Sequence, residues 1–123
     1  MSIMLWILQF LLALLFVAAG ATKLFQPYEG LARRMPWVED YSPRTVRAVG
    51  GLELLGGLGL VLPALLGIAV VLTPVAAVGL AVIMVLATVH HLRRREIGPM
   101  VFTIVLLLLL LFLAWGRLGL APL

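Results

Sequence analysis

The chain has 123 residues, of which 64% are hydrophobic and only 11% charged, with no cysteine and a formal net charge of +4. Soluble domains run at about half apolar and about a quarter charged, and a single core of this length has no room for so many apolar side chains. A water-soluble domain is therefore excluded and an integral membrane protein is expected. Without cysteine there is no disulfide exchange, thiolate nucleophile or iron–sulfur ligation. The basic residues fall between apolar segments, where they direct topology rather than bind nucleic acid.

The first predicted span covers residues 3–23, with Gln9 as its strongly polar side chain before the closing Lys23. No charge precedes its apolar run and no small-residue cleavage site leads into a polar domain, so a retained helix is expected rather than a signal peptide. In the loop 24–46, Pro27, Pro36 and Pro43 argue against one continuous helix, and a short interfacial helix is expected around Glu29 to Arg34. From Ala48 to Val89 the single charge is Glu53, a stretch that fits two antiparallel helices, 47–62 and 74–91, returning near Pro63. Thr73 and Pro74 read as N-cap and first residue of the later helix, which leaves Leu65 to Val71 as an apolar connector. After the loop 92–98, the last span covers residues 99–116, opened by Gly98-Pro99 and dominated by the Leu106 to Leu111 run. The expected fold is all-α, a four-transmembrane-helix up-and-down bundle forming one domain over residues 1–123.

Lys23, Arg33, Arg34, Arg44, Arg47, Arg93, Arg94 and Arg95 lie in two loops, against Arg117 alone on the opposite side. The positive-inside rule then makes both loops cytoplasmic and places the two termini outside a cell inner membrane. Trp6 and Trp115 are expected at the outer interface, and Tyr28, Trp37 and Tyr41 at the inner one.

On the second span, Gly50, Gly56 and Gly57 lie three or four residues from Glu53 and share its face. Small residues let membrane helices approach closely and a carboxylate facing lipid is costly, so this stripe should turn inward. The first span has a similar polar and small stripe through Gln9, Ala13, Phe16, Gly20 and Lys23. On the third, Thr73, Ala76, Gly79, Ile83, Ala87 and His90 form the expected inward stripe, and His91 falls with Leu80, Met84 and Thr88. The last span shows no stripe. At 1.5 Å per residue from Arg47, Glu53 lies roughly 9 Å inside the boundary where Lys23 and His90 end their helices. The sequence thus points to a cluster of Lys23, Glu53 and His90 with Arg47 at its mouth, serving either as a ligand or proton site or as an ion pair that locks helix register.

The run Gly51-Leu-Glu-Leu-Leu-Gly-Gly-Leu-Gly-Leu-Val-Leu-Pro63, followed by Leu72-Thr-Pro74, Ala87-Thr-Val-His90 and Arg93-Arg-Arg-Glu96, resembles the DoxX-like membrane proteins. The end of the first span, Gly20 to Lys23, and the closing Gly116-Arg117 fit the same resemblance. It implies a four-helix membrane fold with Lys23, Glu53 and His90 as motif positions. Some members of that group are subunits of a thiosulfate:quinone oxidoreductase, others accompany thiol- and superoxide-handling enzymes, and distant animal relatives assist receptor assembly. A disulfide-forming role does not carry over to a chain without cysteine.

The leading expectation is an accessory subunit of a quinone-linked membrane redox system. No catalytic motif or intrinsic cofactor site is visible, and adjacent His90 and His91 cannot easily ligate one metal from one helical face. A bound quinone or lipid is the ligand class left open. The partners expected are the bilayer and a redox enzyme or a second copy of the chain. The alternatives are a non-catalytic assembly scaffold and a small proton-coupled transporter, the latter needing a dimer to form a pathway.

Overall fold

The computed structural model describes residues 2–34 and 41–120, so the expected places of Pro36 and Trp37 lie outside the described residues. Five α-helices follow one another: α1 (Ser2–Phe25), α2 (Tyr28–Arg34), α3 (Pro43–Leu66), α4 (Leu72–Arg93) and α5 (Ile97–Trp115). A π-helical turn, Gly116–Leu120, continues α5. Four of the helices, α1, α3, α4 and α5, are long and apolar enough to cross a membrane, and α2 is the short helix between the first two. The described chain is an all-α four-helix bundle.

Capping chemistry places the ends of α3. Pro43 occupies the first helical turn, where its missing N–H goes unused, and the Ser42 hydroxyl accepts from the Thr45 N–H at 3.1 Å. The helix therefore begins four residues ahead of the expected position 47. At its far end it runs through Pro63 to Leu66 instead of turning there. Gly67 then adopts φ 67°, its N–H reaching Ala64 O at 3.4 Å while the Ile68 N–H reaches Pro63 O at 3.2 Å, a Schellman stop for which glycine is the unstrained residue.

A proline inside a helix deprives the carbonyl four residues earlier of its donor, here that of Gly59. The Thr73 hydroxyl donates to Gly59 O at 3.3 Å and lies 3.5 Å from Leu60 O, and the Gln9 side-chain amide donates to Leu60 O at 2.7 Å. Side chains from two neighbouring helices thus satisfy the carbonyls around the proline, and the helix survives it. Thr73 is consequently not the N-cap of α4. That helix begins at Leu72 with no side-chain cap, because the threonine hydroxyl is spent across the helix interface.

α1 packs along α3, α4 packs along α5, and α3 joins α4 between the two pairs. The core is made by Leu12 and Phe16 of α1, Leu60 of α3, Leu80 of α4 and Leu106 and Leu110 of α5. Apolar side chains also cover the outside: Leu14 is 70% exposed and Leu108 60%, as a bundle solvated by lipid requires.

Two expected faces are corrected. The buried side of α4 runs through Thr73, Ala77, Leu80, Ala81, Met84 and His91, while Gly79 is exposed and a Cβ added there meets nothing within 4 Å. Leu80 and Met84 fill the space between helices that glycine would leave empty, which rotates Gly79 outward. The leucine run of α5 also resolves into two sides. Thr103, Leu106, Leu110 and Leu113 are buried at helical spacing, and Leu108 and Leu111 face out.

Candidate functional site

At one end of the bundle the Lys23 ammonium donates to a carboxylate oxygen of Glu53. The side chains are 12% and 3% exposed, respectively, so the carboxylate is sealed and the lysine retains an edge toward the surface. Lys23 arrives from the last turn of α1 and Glu53 from the third turn of α3, where the two helices run antiparallel and nearly touch. A Cβ built on Gly20 would fall 2.5 Å from both Gly50 O and Leu54 N, and one built on Gly50 would fall 2.7 Å from Lys23 Cβ. Only a residue without a side chain permits this backbone approach. Gly57 lies lower on the same seam, against Val17 and Ala13 of α1, and Gly56 faces Leu80 of α4.

Arg47, one turn and a half before Glu53, donates from its guanidinium to the Lys23 carbonyl. That carbonyl lies in the last turn of α1, where helix acceptors lack intrahelical donors and carry the negative end of the helix dipole, so a cation is favoured there. Lys23, Glu53 and Arg47 are thus brought together. His90 is bonded through Nδ1 to the Tyr41 hydroxyl at 3.0 Å, with the rings 5.1 Å apart, and Tyr41 O in turn accepts from the Tyr28 hydroxyl at 2.7 Å. These contacts tie α2 and the start of α3 to the end of α4.

Of the two adjacent histidines it is His91, 9% exposed, that turns into the bundle. Its Nδ1 lies 2.8 Å from a Glu96 carboxylate oxygen across the α4–α5 turn. That hydrogen bond holds the Glu96 carboxyl below its ordinary range, against partial desolvation and with added attraction from Arg94. Arg94 Nε forms an ion pair with the same carboxylate at 3.4 Å.

The opposite end holds a second buried polar group. Arg117, 4% exposed, donates from Nε to Gln9 Oε1 at 2.6 Å, and its guanidinium carbon lies 5.0 Å from the centre of the Trp6 ring. Gln9 spends its other side-chain atom on the Leu60 carbonyl, so one glutamine links α5, α1 and α3. Gly116, beside it, lets Leu5 approach the start of the π-helical turn.

The DoxX-like family profile matches residues 7–113, which take in Gln9, Lys23, Glu53 and both histidines and stop short of Arg117. The chain belongs to the DoxX-like family. No curated protein and no solved structure matches it. Four apolar helices and this membership make the DoxX-like protein a multi-pass membrane protein.

Sequence spacing alone missed two contacts of this DoxX-like protein. The pairing of His91 with Glu96 spans five residues and a helix turn, and the only signal for it was a carboxylate placed just beyond the histidines. Gln9, inside the first span, and Arg117, just beyond the last, are separated by 108 positions, and no spacing in the sequence pairs them. Their joint role gives a prediction. Gln9→Leu removes the acceptor facing Arg117 Nε and the donor on Leu60 O in one step, and should lower stability by about 3 kcal/mol, since unsatisfied buried polar groups cost roughly 1–3 kcal/mol and more when charged. Unfolding of the purified protein in a denaturing detergent series measures this, and a loss under about 0.5 kcal/mol would show that the network adds nothing.

Proposed function

We propose that this DoxX-like protein is a non-catalytic accessory subunit of a quinone-linked membrane redox system, holding a partner enzyme in the bilayer while the partner carries the electrons. The observation behind this reading is the Lys23–Glu53 pair. Its carboxylate is gripped by the ammonium where two glycine-lined backbones meet, so it is engaged in locking α1 against α3. A carboxylate occupied in this way has a packing role rather than a proton- or ligand-handling one, and a closely packed bundle with apolar outer faces suits a subunit that docks other membrane helices. The redox link follows the family resemblance. The basic residues gathered at the Lys23 end support a cytoplasmic placement of that end, with both termini outside a cell inner membrane.

A second reading is favoured by one contact. The Tyr41 hydroxyl, 3.0 Å from His90 Nδ1 at the mouth of the Lys23 end, can accept from the imidazole N–H and turn its own hydrogen to a quinone carbonyl, which accepts it.

The test separates packing from chemistry. In membranes lacking the chain, the abundance and the activity of the quinone-reducing enzyme should fall together. A folded Lys23→Met/Glu53→Met double variant, which keeps the packing without the charges, should restore both. Normal enzyme abundance in the absence of the chain would overturn the accessory reading, as would restored abundance without activity. For the second reading, titration of the purified chain with a short-chain quinone should show about tenfold weaker binding for Tyr41→Phe, one hydrogen bond to a charged or polar head being worth roughly 1–1.5 kcal/mol. Equal binding would end it.

A further inference from the structure

Among the described residues two Schellman turns occur, and they are built from different residues. The turn after α3 places Gly67 at the left-handed position. In the turn after α4 the Arg95 N–H reaches Leu92 O at 3.0 Å and the Glu96 N–H reaches His91 O at 2.9 Å, the same pair of bonds, but the left-handed residue at φ 57° is Arg95. A side chain other than glycine is strained there, as it is at Ala69, the other described non-glycine residue with positive φ (50°), but at Arg95 the strained position carries a charged group. The guanidinium is the part of Arg95 that glycine lacks.

Its surroundings define that task. Only three residues, 94–96, separate α4 from α5, so the turn between two membrane-spanning helices is held at headgroup depth. Leu92 and Ile97, which flank it, are 57% and 62% exposed, an apolar base from which arginine side chains extend toward phosphates. Arg93 and Arg95 are exposed, and among the described residues neither enters an ion pair. Glu96, the nearest acid, is already taken by His91 and Arg94. Arg44 is exposed on the first turn of α3, three residues from Tyr41, whose bond to His90 brings the two segments together. Glu29, exposed on α2, is a further acid at this end.

We propose that Arg93 and Arg95 form a binding site for the phosphate headgroup of an anionic phospholipid, with Arg44 contributed by the segment that Tyr41 ties to the end of α4. Guanidinium pairs bind phosphate oxygens through fork-shaped donor sets, and juxtamembrane arginines are drawn to anionic lipid. Topology alone does not explain Arg95, because the positive-inside bias of this end persists with seven basic residues in place of eight.

The full chain is reconstituted in phosphatidylcholine vesicles carrying a trace of spin-labelled phosphatidylglycerol, and the motionally restricted fraction of the label gives the selectivity. The wild type should select phosphatidylglycerol over labelled phosphatidylcholine. Arg95→Gly and Arg95→Gln should each lose about fivefold of that selectivity, the weight of one interfacial arginine. Arg95→Gly should also melt about 4 °C higher in neutral detergent, and Arg95→Gln should not, because only glycine relieves the left-handed backbone. Unchanged selectivity in both variants overturns the proposal. So does displacement of the labelled lipid by millimolar inorganic phosphate at matched ionic strength, which would assign the arginines to a soluble phosphate.

Discussion

Lys23→Met is expected to destabilise the bundle by about 4 kcal/mol, more than Glu53→Gln does, although both variants break the same ion pair. The asymmetry comes from depth and reach. Glu53 has a short side chain, 3% exposed, in the seam between α1 and α3, and once the ammonium is gone its charge stays where water does not reach. Lys23 lies in the last turn of α1, 12% exposed, on a four-carbon stem that can carry its charge outward when the carboxylate is neutralised. Glu53→Gln should therefore cost only about 1–2 kcal/mol, the amide oxygen still accepting from the lysine. The double variant Lys23→Met/Glu53→Met should return to within about 1 kcal/mol of the wild type, because removing both charges also removes their desolvation cost. Reversible unfolding of all four proteins in mixed micelles measures the cycle. Equal losses for the two single variants, or a double variant as poor as Lys23→Met, would refute this account of the pair.

Gly20→Ala should cost about 3 kcal/mol, while Gly79→Ala should raise stability by about 0.5–1 kcal/mol. The chemical change is the same, one methyl group on a membrane helix. At Gly20 it lands 2.5 Å from the backbone of Gly50 and Leu54, and backbone cannot move aside as a side-chain tip can, so α1 and α3 must separate and carry the Lys23–Glu53 contact with them. At Gly79 the methyl meets open space and alanine's better helix propensity is the remaining effect. The same unfolding assay reads both. A loss at Gly79 comparable to that at Gly20 would mean that this exposed face of α4 is covered in the membrane by another helix, such as that of a second copy.

The class of the protein and the number of long helices were legible in the sequence, because composition and apolar run length follow from the chain in one dimension. The glycine stripe around Glu53 was legible too, since a charge and small residues at helical spacing leave one face to turn away from lipid. Rotation of a helix about its own axis is different, because it depends on every neighbour at once. The α4 residues Gly79 and Leu80, or His90 and His91, differ by a single position, and the volume of Leu80 and Met84 in the space against α3 and α5 decided which of each pair turned inward. The six-leucine run of α5 contains no contrast from which a face could be read, so packing alone divided it. Pro63 reads locally as a helix end, and only Thr73 and Gln9, delivered by other helices to the carbonyls beside it, allow α3 to continue. The meeting of Gln9 with Arg117 was settled at the same level, where α1 and α5 close one end of the bundle and hydrogen-bonding demand selects partners that sequence distance hides.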